Sequence, residues 1–223
     1  MRLSYAHGIF LMVLSSMVNW GGSFKLHFTN EVKKYIDEKN KTEGSITSWG
    51  FTEDYAYWKE NISEKVPAVT ARIAWMIYGD CKPHHHRKSQ KNNCTGHFSW
   101  SVHDCITSPF SLRWNTSLPI KFRGPEPKNV SLELDNATIF SNVFHWGHTR
   151  GEEQTFRTTC EFVARASFTG YLAYNLTNAG KGSSSWVTVN ITELATISRE
   201  FEVRRGELLY YMWGTYYERM TCV

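Results

Sequence analysis

From Val69 onward the chain alternates between two kinds of residue. Val69, Ala71, Ile73, Trp75 and Ile77 interleave with Thr70, Arg72, Ala74, Met76 and Tyr78. Side chains two apart share one face of a strand, so the run predicts a strand over 69–78. The same period recurs over 98–102, 130–135, 155–166, 171–177, 186–191, 201–204 and 208–217. Turn signals separate these runs: Gly79-Asp80, Gly124-Pro125, Gly170, Asn178-Ala179-Gly180 and Arg205-Gly206 among them. Two stretches read as loops, the charged and polar 82–93 and the proline-bearing 119–128.

Before Val69 the pattern changes. Phe24 to Phe28 alternates as a short strand, and Thr29 and Asn30 offer caps for a helix over 31–39 with Val32, Tyr35 and Ile36 on one face. Residues 41–50 read as a polar connection, and 51–60 suits helix or strand equally. The fold class that follows is mostly β: an antiparallel β-sandwich or barrel with one short N-terminal helix. In the strand at 208–217, Leu209, Tyr211 and Trp213 point one way and Leu208, Tyr210 and Met212 the other. A strand apolar on both faces belongs between two packed layers. The alternative is an exposed aromatic anchor patch or a cavity wall.

The first residues have another character. Arg2 is followed by an apolar run over 8–18 and then by Gly21 and Ser23 at the positions that favour cleavage before Phe24. That is the layout of an export signal over 1–23. The run is short for a membrane span and no later segment approaches that length. The expectation is a secreted, extracellular chain without membrane insertion, folding as a single β-rich domain over 24–223. Aromatic residues make up 15% of the chain, which suits a β-rich core or a binding surface. The net charge of +4 is too mild to argue for nucleic acid, and export argues against it.

Export gives meaning to eight Asn-x-Ser/Thr sequons, at Asn40, Asn61, Asn93, Asn115, Asn129, Asn136, Asn175 and Asn190. Each becomes a glycan acceptor, and a partner then has to be met on what remains bare. The longest sequon-free stretches are 144–169 and the last thirty residues, which makes them the expected partner-binding regions. Five cysteines follow the signal: Cys81, Cys94, Cys105, Cys160 and Cys222. An oxidising route favours pairing but does not fix a connectivity. A local bridge among Cys81, Cys94 and Cys105 is one expectation, and a tie between the C-terminal segment and the core through Cys160 and Cys222 another. The odd thiol is buried or links a covalent dimer, burial being the first choice.

Candidate chemistry is sparse. His84, His85 and His86 with Arg87 and Lys88 form the most conspicuous cluster. It reads first as a solvated loop. As a site it would bind anions, such as a glycosaminoglycan or an acidic partner, and only thirdly a metal. His145 and His148 near Glu152 and Glu153 lack the helical zinc-binding spacing, since Gly147 interrupts them, and read as a turn. His97 and His103 flank Trp100 without a ribonuclease signature. Nucleophile-elbow, Cys-x-x-Cys, phosphate-loop and dinucleotide patterns are missing. The expectation is therefore a non-enzyme with no catalytic residue, metal or cofactor.

Signal, size, sequons and few cysteines together resemble the layout of the immunosuppressant glycoproteins of hard-tick saliva. The resemblance implies binding of a host extracellular protein (a cytokine, a receptor or a leukocyte surface protein) and suppression of the host immune response. Secreted viral immune-evasion glycoproteins share that layout and are the close competitor. Tyr210-Tyr211-Met212, with Tyr216-Tyr217 and Thr221-Cys222-Val223, looks like a strand pair of the tick lipocalins, which implies a carrier of an amine or lipid mediator.

Overall fold

The structure is a computed structural model that describes residues 25–60, 66–84, 94–119, 130–134, 139–146, 154–177 and 184–222. The segment read as an export signal and most of both expected loops lie outside the described residues. The chain opens with β1 (Lys25–His27), α1 (Phe28–Thr42), β2 (Ser45–Gly50), α2 (Ala56–Glu60) and β3 (Thr70–Tyr78). Next come β4 (Lys82–His84), β5 (Cys94–Thr107), β6 (Arg113–Thr116), β7 (Val130–Glu133) and β8 (Ile139–Trp146). It continues through β9 (Gln154–Thr169), β10 (Tyr171–Thr177) and β11 (Ser184–Asn190) to a 3-10 turn at Ile191–Thr196, then β12 (Glu202–Arg204) and β13 (Glu207–Cys222).

The fold is mostly β, in several antiparallel sheets, as the alternation predicts. The large sheet runs β1-β5-β13-β9-β3, with β12 beside β13, β4 beside β9 and β8 beside β5. Every pair in it is antiparallel except β1 with β5. A three-stranded sheet, β11-β10-β2, and the pair β6-β7 complete the strands.

Even-numbered residues of β9 and β13 face inward. Phe162, Ala164, Ala166 and Phe168 are buried, as are Leu208, Tyr210, Met212 and Tyr216. At one end this face is covered by α1 and the small sheet. Phe28 is fully buried there, stacked on Phe168 at 4.5 Å and edge-on to Phe51 at 5.4 Å. At the other end it meets β6: Trp100 Nε1 donates to the Tyr78 hydroxyl at 2.8 Å, and that oxygen lies 3.2 Å from Thr116 Oγ1. Burying an indole and a phenol becomes tolerable once their polar atoms are paired.

The helix departs from expectation in an instructive way. It begins at Phe28, with His27 as N-cap and no side-chain cap, so Thr29 and Asn30 fall inside its first turn. Core burial of Phe28 fixes the start and outweighs a cap worth about 1 kcal/mol. The connection expected over 41–50 contains β2, whose hydrogen bonds come from β10. Its burial pattern leaves only Ile46 and Trp49 to signal a strand.

Two glycines are forced. Gly170, at φ +111°, turns the chain from β9 into β10 with no room for a Cβ beside the Ala68 carbonyl. Gly214 lies where β5 carries one extra residue, between the pairs Trp213↔Asp104 and Gly214↔Val102. Such a bulge bends the strand and re-aims its side chains.

Candidate functional site: an aromatic face and cleft on the central strands

The two long sequon-free stretches are neighbours in space. β9 and β13 pair over fifteen residues, from Leu208↔Phe168 to Cys222↔Gln154. No sequon falls on β3, β9, β12 or β13, while the Asn93-Cys94-Thr95 sequon ends on the first two residues of β5.

Register builds the outward face row by row. Trp75, Arg165 and Tyr211 stand in line across β3, β9 and β13, and Ile77, Val163 and Trp213 form the next row. The Arg165 guanidinium lies 5.2 Å from the Trp75 ring centre, and the Trp75 and Tyr211 rings are 6.2 Å apart. Ile77 is 57% exposed and Trp213 49%. The strand at 208–217 thus has a buried face and a partly open aromatic one, with Leu209 alone of the outward set fully covered.

A cleft of about 400 Å³ lies beside Trp213, lined by Asp104, Arg199, Glu200, Tyr210, Tyr211 and Trp213. Tyr211 Oη donates to Glu202 Oε2 at 3.0 Å, which fixes one aromatic wall. Burial first, then the charges of Asp104 and Glu200, push the Tyr210 phenol far above its ordinary range. Its hydroxyl stays protonated and faces the Cys105 carbonyl at 3.5 Å. Aromatic walls, two carboxylates and one guanidinium can hold a polar or charged side chain of a partner. They contain no nucleophile–base pair. Among the described residues no group of His, Cys, Asp and Glu could hold a metal ion. No helix there is long and apolar enough to cross a membrane.

The other sequence candidates scatter. Asn40 is exposed at the end of α1, where its Oδ1 accepts from Ile46 N at 2.9 Å, and Asn115 is exposed on β6. Asn190 caps the 3-10 turn, its Oδ1 accepting from Thr192 N at 3.0 Å and Thr192 Oγ1 at 2.8 Å. Asn175 lies on the middle strand β10, between Ser48 and Trp186, with a buried Oδ1 that finds no hydrogen-bond partner among the described residues. Asn61, Asn93, Asn129 and Asn136 lie outside the described residues, as do His85, His86, Arg87, Lys88 and His148. His84 ends β4, so the expected loop begins with a short strand on β9. His145 sits on β8 rather than in a turn. His103 Nε2 lies 2.8 Å from Thr215 Oγ1, a structural contact on the outer face.

Cysteine pairing corrects the local expectation. Cys81 bonds Cys160, 79 residues away. Gly79 N donates to the Glu161 carbonyl and Lys82 pairs with Thr159, which brings Cys81 alongside Cys160. Cys105 is buried in the core. The backbone of β5 and β13 sets Cys94 directly opposite Cys222.

No protein-family model and no curated protein matches the chain. Several solved structures are similar to the chain. A non-toxic crystal protein from Bacillus thuringiensis is 12% identical at a TM-score of 0.47, over 88% of this chain and 93% of its own. The Cry23Aa1 and Cry37Aa1 binary protein complex is 12% identical at a TM-score of 0.42, over 87% and 85%. The Mpp75Aa1.1 β-pore-forming protein from Brevibacillus laterosporus is 11% identical at a TM-score of 0.28, over 82% and 69%.

Proposed function

We propose that this chain is a secreted, non-enzymatic binding protein that occludes a surface of another extracellular protein with the outward face of β3, β9 and β13. The observation that carries the reading is the exposure of Trp213 and Ile77 either side of Val163, on strands that no sequon interrupts. Tryptophan, tyrosine and arginine dominate binding hot spots, and Trp75, Arg165, Tyr211 and Trp213 bring all three types to one patch. The cleft beside Trp213 gives that patch a pocket for one anchoring side chain of the partner. The layout shared with tick salivary immunosuppressants directs the search toward cytokines, their receptors and leukocyte surface proteins of a host.

The test uses the sequence itself. Trp213 precedes Gly214-Thr215, so Trp213→Asn installs a glycan acceptor in the middle of the patch. The full chain, secreted from eukaryotic cells, is used to capture plasma and leukocyte-surface proteins. The expected result is a saturable partner lost with Trp213→Asn and with Trp213→Ala, at unchanged secretion. Retained binding by the glycosylated variant sinks the reading.

A second reading comes from strand length. β5, β9 and β13 run 14, 16 and 16 residues, with alternating faces. A strand needs about 9–11 residues to cross a bilayer in a closed barrel. Release of dye from lipid vesicles by the purified chain, with no capture of a protein, would favour that reading over occlusion.

A further inference from the structure

Directly opposite residues of paired strands share a face. The register therefore sets His84, Arg157, Arg219 and His97 in one row across β4, β9, β13 and β5. Arg157, Arg219 and His97 are exposed. The row on one side holds Lys82, Thr159, Tyr217 and Ser99, and the row on the other holds Thr155, Thr221 and Thr95.

This end of the sheet is unusual in its charge. Like charges set directly opposite each other destabilise a strand pair, and Arg157 faces Arg219 without an acid between them. Neither arginine takes part in an ion pair among the described residues. The first carboxylate on this face of β9 is Glu161, and Glu218 of β13 points into the core. A ligand that supplies negative charge removes the repulsion that the free fold carries.

We infer that this row binds a sulfated glycosaminoglycan chain. Four positions on neighbouring strands span roughly 14 Å at the usual strand spacing, which fits a linear polyanion better than a single free anion. Guanidinium groups bind planar oxyanions through paired N–H donors, and the flanking threonine, serine and tyrosine hydroxyls suit a saccharide. A lipid surface fits less well, because among the described side chains the exposed large apolar residues, Ile77, Val203 and Trp213, all lie in other rows. The row is separate from the aromatic patch, so a chain held on cell-surface glycan keeps its protein-binding face free.

The probe is heparin, tested with the purified full chain at physiological salt and in a salt series. The expected result is retention of the wild type and at least a tenfold loss of affinity in Arg157→Ala/Arg219→Ala, with a shallower salt dependence. A control of equal charge change, Lys33→Ala/Arg204→Ala, removes exposed cations elsewhere and keeps wild-type affinity. Arg157→Lys/Arg219→Lys keeps most of the binding. The alanine pair melts at or above the wild-type temperature, since it relieves the like-charge contact. Absence of retention overturns the inference. So does equal loss in both double variants, or binding to phosphatidylserine vesicles or duplex DNA at the strength of heparin. None of these outcomes depends on the Trp213 patch.

Discussion

The Tyr216 hydroxyl donates to Glu218 Oε2 at 3.3 Å on the buried face of β13, while Glu218 Oε1 reaches no partner among the described residues. Burial pushes the Glu218 carboxyl up to about 8, against a smaller opposing effect of the Tyr216 hydrogen bond. A carboxyl raised in the fold favours folding while it is neutral. That contribution is complete below the ordinary value of 4.5, declines as pH rises and the unfolded chain ionises, and is gone above about 8. Glu218→Gln should match wild-type stability near pH 4.5 and exceed it at pH 8.5 by on the order of 2–4 kcal/mol. Urea titrations across that range check this, and a difference that does not change with pH would count against it.

Gly214 leaves no space for a side chain. A Cβ there would stand 2.5 Å from the Ser101 carbonyl and closer still to the Phe162 ring. Gly214→Ala is expected to lower stability by at least about 1–3 kcal/mol through overpacking. It should also reshape the cleft beside Trp213, read as a shift of tryptophan fluorescence in the folded variant.

Cys94 and Cys222 are opposite partners in the β5–β13 ladder. Opposite residues of antiparallel strands bring their Cα atoms to about 4.5–5.5 Å, within the span a disulfide bridges. Digestion of the unreduced protein with trypsin and chymotrypsin is expected to release a peptide with Cys94 linked to Met220–Val223, beside the Cys81–Cys160 pair. Recovery of both peptides as alkylated thiols would contradict it.

Phe28 joins α1 to the large sheet through Phe168 and to β2 through Phe51. Phe28→Ala should cost about 3–5 kcal/mol, measured by chemical denaturation, and should loosen the small sheet along with the helix.

Alternation made β9 and β13 legible, because each buries one face and every second residue reports it. In β3 the register shifts at Ala74, so Ile73 and Met76 are buried while Trp75 and Ile77 turn outward, which corrects the single face expected for Ile73, Trp75 and Ile77. The hydrophobic pattern also found the helix, although Thr29 and Asn30 misled as caps where Phe28 decided. β2 and β6 escaped notice because their burial is carried by few residues, Ile46 and Trp49 in one and Trp114 and Thr116 in the other. Alternation put Tyr211 and Trp213 on one face of a strand first expected to be covered on both, and Trp75 and Arg165 join them only through pairing register. The cationic row was hidden for the same reason. Arg157 and Arg219 are 62 positions apart in sequence and adjacent only because β9 and β13 pair in one register.

β13 follows β5 and β9 along the chain and yet sits between them in the sheet. During synthesis those two strands exist well before the segment that joins them. Until residues 207–222 emerge, each presents an open edge with its backbone donors and acceptors unsatisfied. The large sheet therefore cannot assemble in step with translation, and its folding waits on β13. A ribosome that stalls before Glu207 releases a chain with two sticky edges, a natural substrate for quality control.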